Sequence, residues 1–399
     1  MNKIRRVGML AAGLAAAVLF AGAGARLLAS CSDLGLPFTD LGSETTFCAA
    51  IAEAYFSGLT NGTTATTYSP STLVPRDQMA AFITRTLDQS LLRGNRRAAL
   101  DQWWTPAPLF PSGLALTSVG MAPSRLACDG ADVWVTNSEG GTVSRVRASD
   151  GKNLETWTGM TSPFGIIAAM GRVFVTGFGG HLYEIDPSQA AGAATTAANT
   201  LLAEASGIAF DGDKIWIAHQ ANPGGGISIV TPGSSTPWSV TTVTNGFTSP
   251  YGIVFDGTGM WVTDLAANTF LKLDSNAAIV QTVAVGHEPT YPAFDGHNFW
   301  VPNHNDDSVT VVRASDGAVL KTFSAGHGNQ NGLSQPLQAV FDGQRILVLN
   351  SAGFSLFKAA DLSVIGNSSP SGVSTPFGAC SDGVNFWAAF NASGKIGRF

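Results

Sequence analysis

The chain has 399 residues and a formal net charge of −6 at pH 7, with 13% charged and 45% hydrophobic residues. The acidic balance argues against a broad basic surface for nucleic acid. After Ala25 no segment is long and apolar enough to cross a bilayer. The 46 glycines suit a protein rich in tight turns and closely packed sheets.

Residues 1–30 are predicted to be an export signal. A basic start precedes an uninterrupted run of apolar and small residues from position 9 to position 25, which is typical of a signal peptide. Residues 28–31, Leu-Ala-Ser-Cys, also resemble a lipobox in which Cys31 would be lipidated, although Arg26 interrupts that pattern. We expect an exported protein of the cell surface or periplasm, with a lipid anchor as the alternative.

Residues 36–91 differ in pattern from the rest of the chain. Apolar residues recur at helical spacing between positions 47 and 56, and a glycine-containing break follows. Pro75 then suits the first turn of a second helix, whose apolar face includes Met79 and Leu87. The pattern predicts a small α-helical hairpin.

This segment resembles the S-layer homology module. The residues in register with that family are Phe38, Asp40, Gly58, Gly62, Tyr68, Pro70 and Arg76. The resemblance implies association with a cell-envelope polysaccharide or peptidoglycan, in which Arg76 grips an acidic glycan through its guanidinium fork. The chain departs from the family at Pro75, at residues 77–78 and in having a single copy. These departures favour the alternative, in which Arg76 is an exposed first-turn residue.

Residues 92–112 are predicted to be a linker. They contain a short basic cluster at positions 93–97 and two adjacent tryptophans, Trp103 and Trp104, before a proline-rich stretch. The basic cluster is too short for a nucleic-acid surface, and we expect the tryptophans to pack between domains.

From residue 113 onwards, one short frame recurs about every 42 residues, the spacing of a repeat architecture. The frame consists of a proline, an Asp-Gly pair and then an aromatic residue, and each of the three positions has one departure among the seven copies. The proline positions hold Pro123, Pro163, Ala205, Pro250, Pro289, Pro336 and Pro376; the aspartate positions hold Asp129, Ala169, Asp211, Asp256, Asp295, Asp342 and Asp382; the aromatic positions hold Trp134, Phe174, Trp216, Trp261, Trp300, Leu347 and Trp387. We expect the repeated aromatic residues to be wedged between neighbouring units.

Each unit contains four short runs of strand-forming residues separated by turn residues, and none has helical periodicity. The Asp-Gly pair predicts a tight hairpin with positive φ between the first two strands. Four such strands repeated at this spacing are typical of a propeller blade. The predicted fold class is therefore mainly β: a seven-bladed β-propeller with four-stranded blades over residues 113–399, preceded by a small α-helical module.

The last copy lacks one strand. Leu114 to Val119 precede the first copy and lie where a fourth strand should end, so we expect this segment to complete the last blade. Such a closure joins the first and last blades and removes an exposed sheet edge.

The four cysteines leave several pairings open. Cys128 and Cys380 both fall on innermost strands of the first and last blades, and export permits a disulfide between them. Alternation of side chains along a strand favours two buried thiols instead. Cys31 and Cys48 could also pair, unless Cys31 is lipidated.

The propeller repeats resemble the Tyr-Val-Thr-Asn (YVTN) and NHL-like repeats of surface proteins. Residues 134–137 and 215–219 show this resemblance, and the sequence Arg-Ala-Ser-Asp-Gly occurs at both 147–151 and 313–317. Those propellers are chiefly binding or structural platforms. The repeat is more distantly similar to that of the streptogramin (virginiamycin B) lyase, whose chemistry uses histidine, glutamate and a magnesium ion.

One face of the predicted propeller collects the loops between blades and the hairpins between second and third strands. Five of the six histidines fall on or next to this rim if His181 is counted. The predicted ligand-binding residues are Arg76 of the module and Tyr251, Asp264, Tyr291 and Asn303 of the rim. The same polar residues could instead serve backbone conformation alone, because Asn and Asp cap turns.

If the rim is catalytic instead, the candidate residues are His219, His287, Glu288 and His304, which belong to three consecutive blades. Histidine and carboxylate together could hold a divalent ion such as Mg²⁺ or Ca²⁺, or act as acid and base. None of these residues has a recognised metal-ligand spacing.

We therefore expect a non-catalytic binding platform without a cofactor, exported and associated with the envelope. The expected partners are an envelope polymer at the module and an unidentified protein or glycan on the rim, with no nucleic acid. The alternative is an extracytoplasmic lyase or lactone hydrolase.

Overall fold

The computed structural model describes residues 36–41, 51, 63–72, 79, 115–220, 224–325, 331–351, 353–369 and 374–399. The chain divides into two compact units, Met1–Trp103 and Trp104–Phe399. Several predictions lie outside the described residues: the export signal, the linker, Cys31, Cys48, Gly58, Gly62, Arg76 and His327. No helix among the described residues is long and apolar enough to cross a membrane.

The described part of the first unit is built around Phe38, Leu41 and Ile51, with Tyr68 packed against them. The Phe38 and Tyr68 rings lie 5.4 Å apart. The Asp40 carboxylate accepts the backbone N–H of Tyr68 at 2.9 Å and that of Ser69 at 2.6 Å. These N–H groups, Tyr68 first, lower the pKa of Asp40. Three positions of the S-layer homology pattern thus meet in space, whereas most of the predicted helical hairpin lies outside the described residues.

The described part of the second unit forms seven four-stranded antiparallel sheets. Blade 1 is formed by β2 (Pro123–Cys128), β3 (Asp132–Asn137), β4 (Thr142–Arg147) and β5 (Asn153–Trp157); blade 2 by β6 (Pro163–Ala169), β7 (Arg172–Gly177), β8 (His181–Ile185) and β9 (Thr195–Ala198); blade 3 by β10 (Ala205–Phe210), β11 (Ile215–His219), β12 (Gly226–Thr231) and β13 (Ser239–Val243). Blade 4 is formed by β14 (Pro250–Phe255), β15 (Met260–Asp264), β16 (Thr269–Leu273) and β17 (Ile279–Ala284); blade 5 by β18 (Ala293–Phe294), β19 (Asn298–Asn303), β20 (Ser308–Arg313) and β21 (Val319–Ser324); blade 6 by β22 (Gln338–Phe341), β23 (Arg345–Asn350), β24 (Gly353–Lys358) and β25 (Ser363–Ser368). Blade 7 is formed by β26 (Pro376–Ser381), β27 (Phe386–Phe390), β28 (Lys395–Arg398) and β1 (Ala115–Ser118), with a 3-10 turn at Asn391–Ser393. The predicted fold class is confirmed.

The ring is closed by β1, as the strand count predicts. It pairs antiparallel with β28, so that Leu116 lies opposite Gly397 and Thr117 opposite Ile396. In addition, the Thr117 hydroxyl donates to the carbonyl of Gly151 in blade 1 at 2.6 Å. The strand is therefore part of the sheet of blade 7, and it also contacts blade 1 through the Thr117 side chain.

The repeated aspartate and tryptophan are joined by a hydrogen bond within each complete copy of the frame. In blade 4, Asp256 accepts the indole N–H of Trp261 at 2.9 Å and the backbone N–H groups of Thr258 and Gly259 at 2.7 Å. The Asp256 N–H in turn donates to the carbonyl of Gly259. The aspartate thus occupies the first position of the turn, and Gly257, with φ 91°, supplies the positive φ. The same indole bond occurs at Trp134, Trp216, Trp300 and Trp387.

Blades 2 and 6 show why the two residues occur together. Blade 2 has Phe174 at the aromatic position, which has no N–H to donate, and Ala169 at the aspartate position. Blade 6 has Leu347, and there Asp342 accepts from the Arg345 side chain at 2.8 Å instead. Each of the six copies that keeps the aspartate therefore also has a side-chain donor bonded to it.

The tryptophans are wedged between blades, as expected. Trp134 of blade 1 packs with Ile166, Val173 and Val175 of blade 2, and Trp216 of blade 3 packs in the same way against blade 4. An aromatic side chain buries roughly 200 Å². At about 25 cal/mol per Å², each buried tryptophan stabilises the ring by at most ~5 kcal/mol.

Cys128 and Cys380 form a disulfide that joins blades 1 and 7, with Cα atoms 5.8 Å apart. The expectation of two buried thiols was wrong. It applied the alternation of side chains within one sheet, but β2 and β26 belong to different sheets. A Cβ added at Gly378 would clash with the carbonyl oxygen of Ser124, so the two innermost strands run in backbone contact.

Candidate binding face

The strand order places the loops of the propeller on two faces. Connections between blades, and hairpins between second and third strands, lie on one side, which we call the loop face. The aspartate turns lie on the other side, which we call the turn face. Each innermost strand starts at the loop face, so its first residues line the entrance of the central channel.

The channel entrance is filled by side chains from across the ring, which we call the axial plug. Its members are Arg125, Phe164, Tyr251, Tyr291, Gln338 and Phe377, one from each blade except blade 3. Blade 3 contributes a backbone carbonyl, that of Ser206, which accepts the Tyr291 hydroxyl at 3.2 Å. In five blades the register of the innermost strand shifts at this level, as in β14 between Pro250 and Ile253. Such bulges re-aim side chains.

Arg125 is the centre of the axial plug. Its guanidinium carbon lies 3.7 Å from the centroid of the Tyr291 ring, and 5.1 and 5.0 Å from those of Phe164 and Phe377. Nη1 donates to the carbonyl of Phe377 at 2.8 Å and to Oε1 of Gln338 at 3.4 Å. Burial raises the pKa of Tyr291 well above its usual value, and the Arg125 cation opposes this only in part. At neutral pH the phenol is therefore uncharged.

Two predicted rim residues, Tyr251 and Tyr291, meet within the axial plug, with ring centroids 4.7 Å apart. By their exposed surface, both residues are partly buried. A ligand contact by either residue stays a prediction.

The other two predicted rim residues end the second strands of their blades and are buried. Asp264 accepts the backbone N–H groups of Thr248 at 2.7 Å and Ser249 at 2.9 Å. Asn303 accepts the N–H of Gly286 at 3.1 Å and donates to the hydroxyls of Ser308 and Thr310 at 2.9 Å. The contacts of both side chains are therefore with loops and strands of their own fold. Ligand binding by Asp264 or Asn303 stays a prediction.

The same position holds Asn137 in blade 1 and Asn350 in blade 6, with the same kind of contacts. Asn137 accepts the N–H of Gly120 at 3.1 Å and donates to the hydroxyl of Ser144 at 3.0 Å. We call this recurring arrangement the strand-end clasp. It ties the connection that enters a blade to the second and third strands of that blade.

His219 occupies the strand-end position of blade 3. Its Nδ1 lies 3.1 Å from the carbonyl oxygen of Ala203, and its Nε2 is buried without a hydrogen-bond partner. Burial lowers the pKa of His219 to about 4, against a smaller opposing effect of the Ala203 carbonyl. The side chain is therefore neutral at pH 7.

His287, Glu288 and His304 come together on the loop face. The backbone N–H of His304 donates to the carbonyl of Glu288 at 3.0 Å, which ties the loop between blades 4 and 5 to a hairpin of blade 5. The exposed His287 ring places Nδ1 2.8 Å from Oδ1 of Asp306, and its backbone N–H donates to Oδ2 at 2.7 Å. These contacts, the backbone N–H first, lower the pKa of Asp306. His219 lies in another blade.

The residues proposed for a divalent ion do not form a donor set. In the part of the chain that the structure describes, there is no group of three or more His, Cys, Asp or Glu side chains placed to hold a metal.

A depression of about 690 Å³ lies on the loop face between blades 1 and 2. It is lined by Ser138, Glu139, Gly140, Gly141, Met160, Thr161, Ser162, Phe164 and Phe178. Phe178 is 49% exposed, and Met121, beside Gly140, is 65% exposed. Sequence reasoning missed this feature. The available signal was Phe178 itself, a large apolar residue in a glycine-rich hairpin where solubility favours a polar one.

Comparison with known proteins shows the fold alone. No protein-family model matches the chain, and no curated protein matches it. Among solved structures it is similar to the WD40 β-propeller domain of Doa1, with 12% identity, a TM-score of 0.59, and coverage of 72% of this chain and 95% of that one. It is also similar to the virginiamycin B lyase from Staphylococcus aureus, with 16% identity, a TM-score of 0.58, and coverage of 72% and 99%. For a streptogramin B lyase the values are 15%, 0.55, 71% and 97%.

These similarities define the class of protein as a seven-bladed β-propeller with four-stranded blades. The class includes both a WD40 domain and lyases among its members. Since function depends on the site grafted onto a fold, the choice between recognition and chemistry rests on the residues of the loop face.

Proposed function

We propose that this is an exported protein of the cell envelope whose propeller binds a ligand on its loop face without transforming it. Export is supported by the pattern of residues 1–30, and envelope association by the S-layer homology resemblance. The contacts among Phe38, Asp40 and Tyr68 support that resemblance, because they join three of its positions. The partner of the module is an acidic envelope polysaccharide or peptidoglycan, held through Arg76.

The observation that carries the binding role is the depression between blades 1 and 2, beside a filled channel. Because the axial plug fills the channel entrance, a ligand is held on the loop face rather than inside the ring. The depression combines hydroxyl and backbone groups with the exposed ring of Phe178. Such a mixture of a few polar groups and an aromatic surface is typical of glycan and protein binding sites.

The envelope role is tested by sedimentation with purified envelope material. We expect the mature protein to co-sediment and the Arg76→Ala variant to stay in the supernatant, because the guanidinium fork provides the bidentate contact to a carboxylate. The control is Arg147→Ala, which removes an exposed arginine of the propeller. Equal sedimentation of both variants and the parent would rule out glycan binding by Arg76.

The binding face is tested with a glycan and peptide library. We expect bound library members to be lost or weakened at least about fivefold in Phe178→Ala, because truncation of an exposed aromatic anchor removes about 1–3 kcal/mol. Val384→Ala is the matched control, since Val384 is 57% exposed but lies in the aspartate turn of blade 7, on the turn face. Equal losses in both variants would contradict a site on the loop face.

The His287–Asp306 pair is the observation that favours the second candidate, an extracytoplasmic lyase or hydrolase. A carboxylate on Nδ1 orients the imidazole and leaves Nε2 free to accept a proton. If this pair were catalytic, His287→Ala would abolish turnover of a library substrate and leave binding unchanged. A stoichiometric divalent ion that is lost in His287→Ala would also support an enzyme over a scaffold.

A further inference from the structure

Arg125 is a buried cation whose charge has no carboxylate partner. It is 7% exposed, and its Nε is buried without a hydrogen-bond acceptor. Among the described residues, Arg145, Arg172, Arg313 and Arg345 each have a carboxylate within ion-pair distance. The partners of Arg125 are instead a backbone carbonyl, an amide oxygen, the Tyr291 hydroxyl and three aromatic rings.

The contacts of Arg125 leave one edge of the guanidinium unused. A guanidinium has five N–H donors, and the bonds to Phe377 and Gln338 both come from Nη1. One planar face is covered by the Tyr291 ring at 3.7 Å. Nε is enclosed by neighbouring atoms and has no acceptor, so an anion reaches the Nε–Nη2 edge only when a neighbouring side chain moves. It is this edge of a guanidinium that takes two oxygens of a carboxylate or phosphate side by side.

The aromatic rings do not replace a counter-ion. Cation–π contacts are weak compared with the cost of burying an unpaired charge. Tyr291 does not supply the negative charge, because its hydroxyl is neutral and donates to the carbonyl of Ser206. A charge retained at such a cost, at the entrance of a channel, is typical of a functional site.

We propose that the Nε–Nη2 edge of Arg125 is an oxyanion-binding site at the loop-face entrance of the channel, and that it holds a carboxylate or phosphate group of the propeller ligand. Phe164 connects this site to the depression between blades 1 and 2, because its ring lines the depression and lies 5.1 Å from the Arg125 guanidinium. The rest of the ligand then lies in that depression.

The probes are inorganic phosphate and acetate, each compared with chloride at equal ionic strength and pH 7. Thermal unfolding of the mature full chain measures their binding. At ten times the dissociation constant, we expect Tm to rise by about 2 °C more in the parent than in Arg125→Met. The comparison with the variant is essential, since phosphate also stabilises proteins by exclusion from their surface.

Arg145→Met is the matched control. Arg145 also packs over an aromatic ring, that of Trp134 at 5.0 Å, but two carboxylates, Asp132 and Glu155, already pair with it. We expect this variant to respond to the anions as the parent does. Equal responses of the parent and Arg125→Met would overturn the proposal.

A second measurement covers the case in which Arg125→Met does not fold. The ¹⁵N resonance of the Arg125 Nε–H group, assigned by its loss in Arg125→Lys, should move in a saturable way as the anion is added. A resonance that stays fixed in both phosphate and acetate would exclude the site. A response to phosphate alone indicates a phosphorylated ligand, and a response to acetate indicates a carboxylate.

The oxyanion site rests on the proposed binding function and adds the chemistry of the ligand. The anion experiments and the library experiments can fail independently of each other. Loss of library binding in Phe178→Ala concerns the depression and not Arg125. Anion binding at Arg125 without any library ligand would support the site and leave the proposed recognition role unsupported. Library binding without anion binding at Arg125 would support the recognition role and contradict the oxyanion site.

Discussion

At the residue scale, the strand-end position shows how one place in the repeat serves the fold with different side chains. Asn137, Asp264, Asn303 and Asn350 use it to hold a neighbouring connection through backbone N–H groups. At His219 the side chain is the donor instead of the acceptor, because its imidazole Nδ1 faces the carbonyl of Ala203. This requires a protonated Nδ1 and leaves Nε2 without a partner in the core.

His219 should make stability depend on pH. Its folded pKa of about 4 lies below the usual 6.5, so the unfolded chain binds the additional proton between those values. The stabilisation is therefore fully present above pH 6.5 and is lost as the pH falls towards 4, by roughly 3 kcal/mol. We expect denaturant unfolding of His219→Asn to show a flatter pH dependence across this window.

The control for that measurement is His297→Asn, because His297 is exposed in an aspartate turn. Carboxylates that titrate near pH 4 contribute equally to both variants, so the difference between the two profiles isolates His219. Parallel profiles for parent, His219→Asn and His297→Asn would show that burial of the imidazole does not control the pH response.

At the element scale, β1 joins the two ends of the propeller. Four residues complete blade 7 and cover the outer edge of β28. The Val119 N–H donates a hydrogen bond to the Gly394 carbonyl, and this bond shows which N–H groups of β1 face β28. By strand alternation, the Thr117 N–H points to β28, whereas the Ser118 N–H points away from it.

Proline substitutions should separate these two directions. Thr117→Pro removes a ladder donor and is expected to lower the free energy of unfolding by about 2–4 kcal/mol. Ser118→Pro keeps the ladder bonds and should cost less than half as much. Guanidinium unfolding of both variants tests this, and equal costs would mean that β1 does not close the blade through its backbone.

The sequence predicts the elements well because its strongest signals are local. The Asp-Gly turn and the tryptophan bonded to it, as in Asp256 and Trp261, lie within a few residues, so their repetition counts the blades directly. The axial plug could not be predicted in this way, because Arg125 and Tyr291 meet across the ring from different blades. The polarity of Asp264 and Asn303 predicts ligand residues, whereas the recurrence of Asn137 and Asn350 at the same position favours a structural role. In a repeat protein, residues that break the repeat, such as Arg125 and Phe178, are the better candidates for function.

At the scale of the whole molecule, the ring has two closures, the ladder between β1 and β28 and the Cys128–Cys380 disulfide. The disulfide spans a sequence separation of 252 residues. A cross-link over so long a loop stabilises mainly by restricting the unfolded chain, typically by 2–5 kcal/mol. The two closures act on the same contact between blades 7 and 1.

We expect Cys128→Ser combined with Cys380→Ser to lower the unfolding free energy by about 3–5 kcal/mol. Since both closures hold the same junction, the cost of Thr117→Pro should grow in this background by at least 0.5 kcal/mol. Denaturant unfolding of the four variants as a double-mutant cycle measures the coupling. Strictly additive costs would show that strand and disulfide secure the ring independently.

The pairing of β1 with β28 also has a consequence for biosynthesis. The ribosome makes β1 before every other strand of the propeller, yet its partner is made after all the other blades. During translation the earliest strand therefore waits unpaired, and the growing chain exposes open sheet edges that invite misassembly. Under the export proposed above, this interval would fall outside the cytosol, where the disulfide can also form.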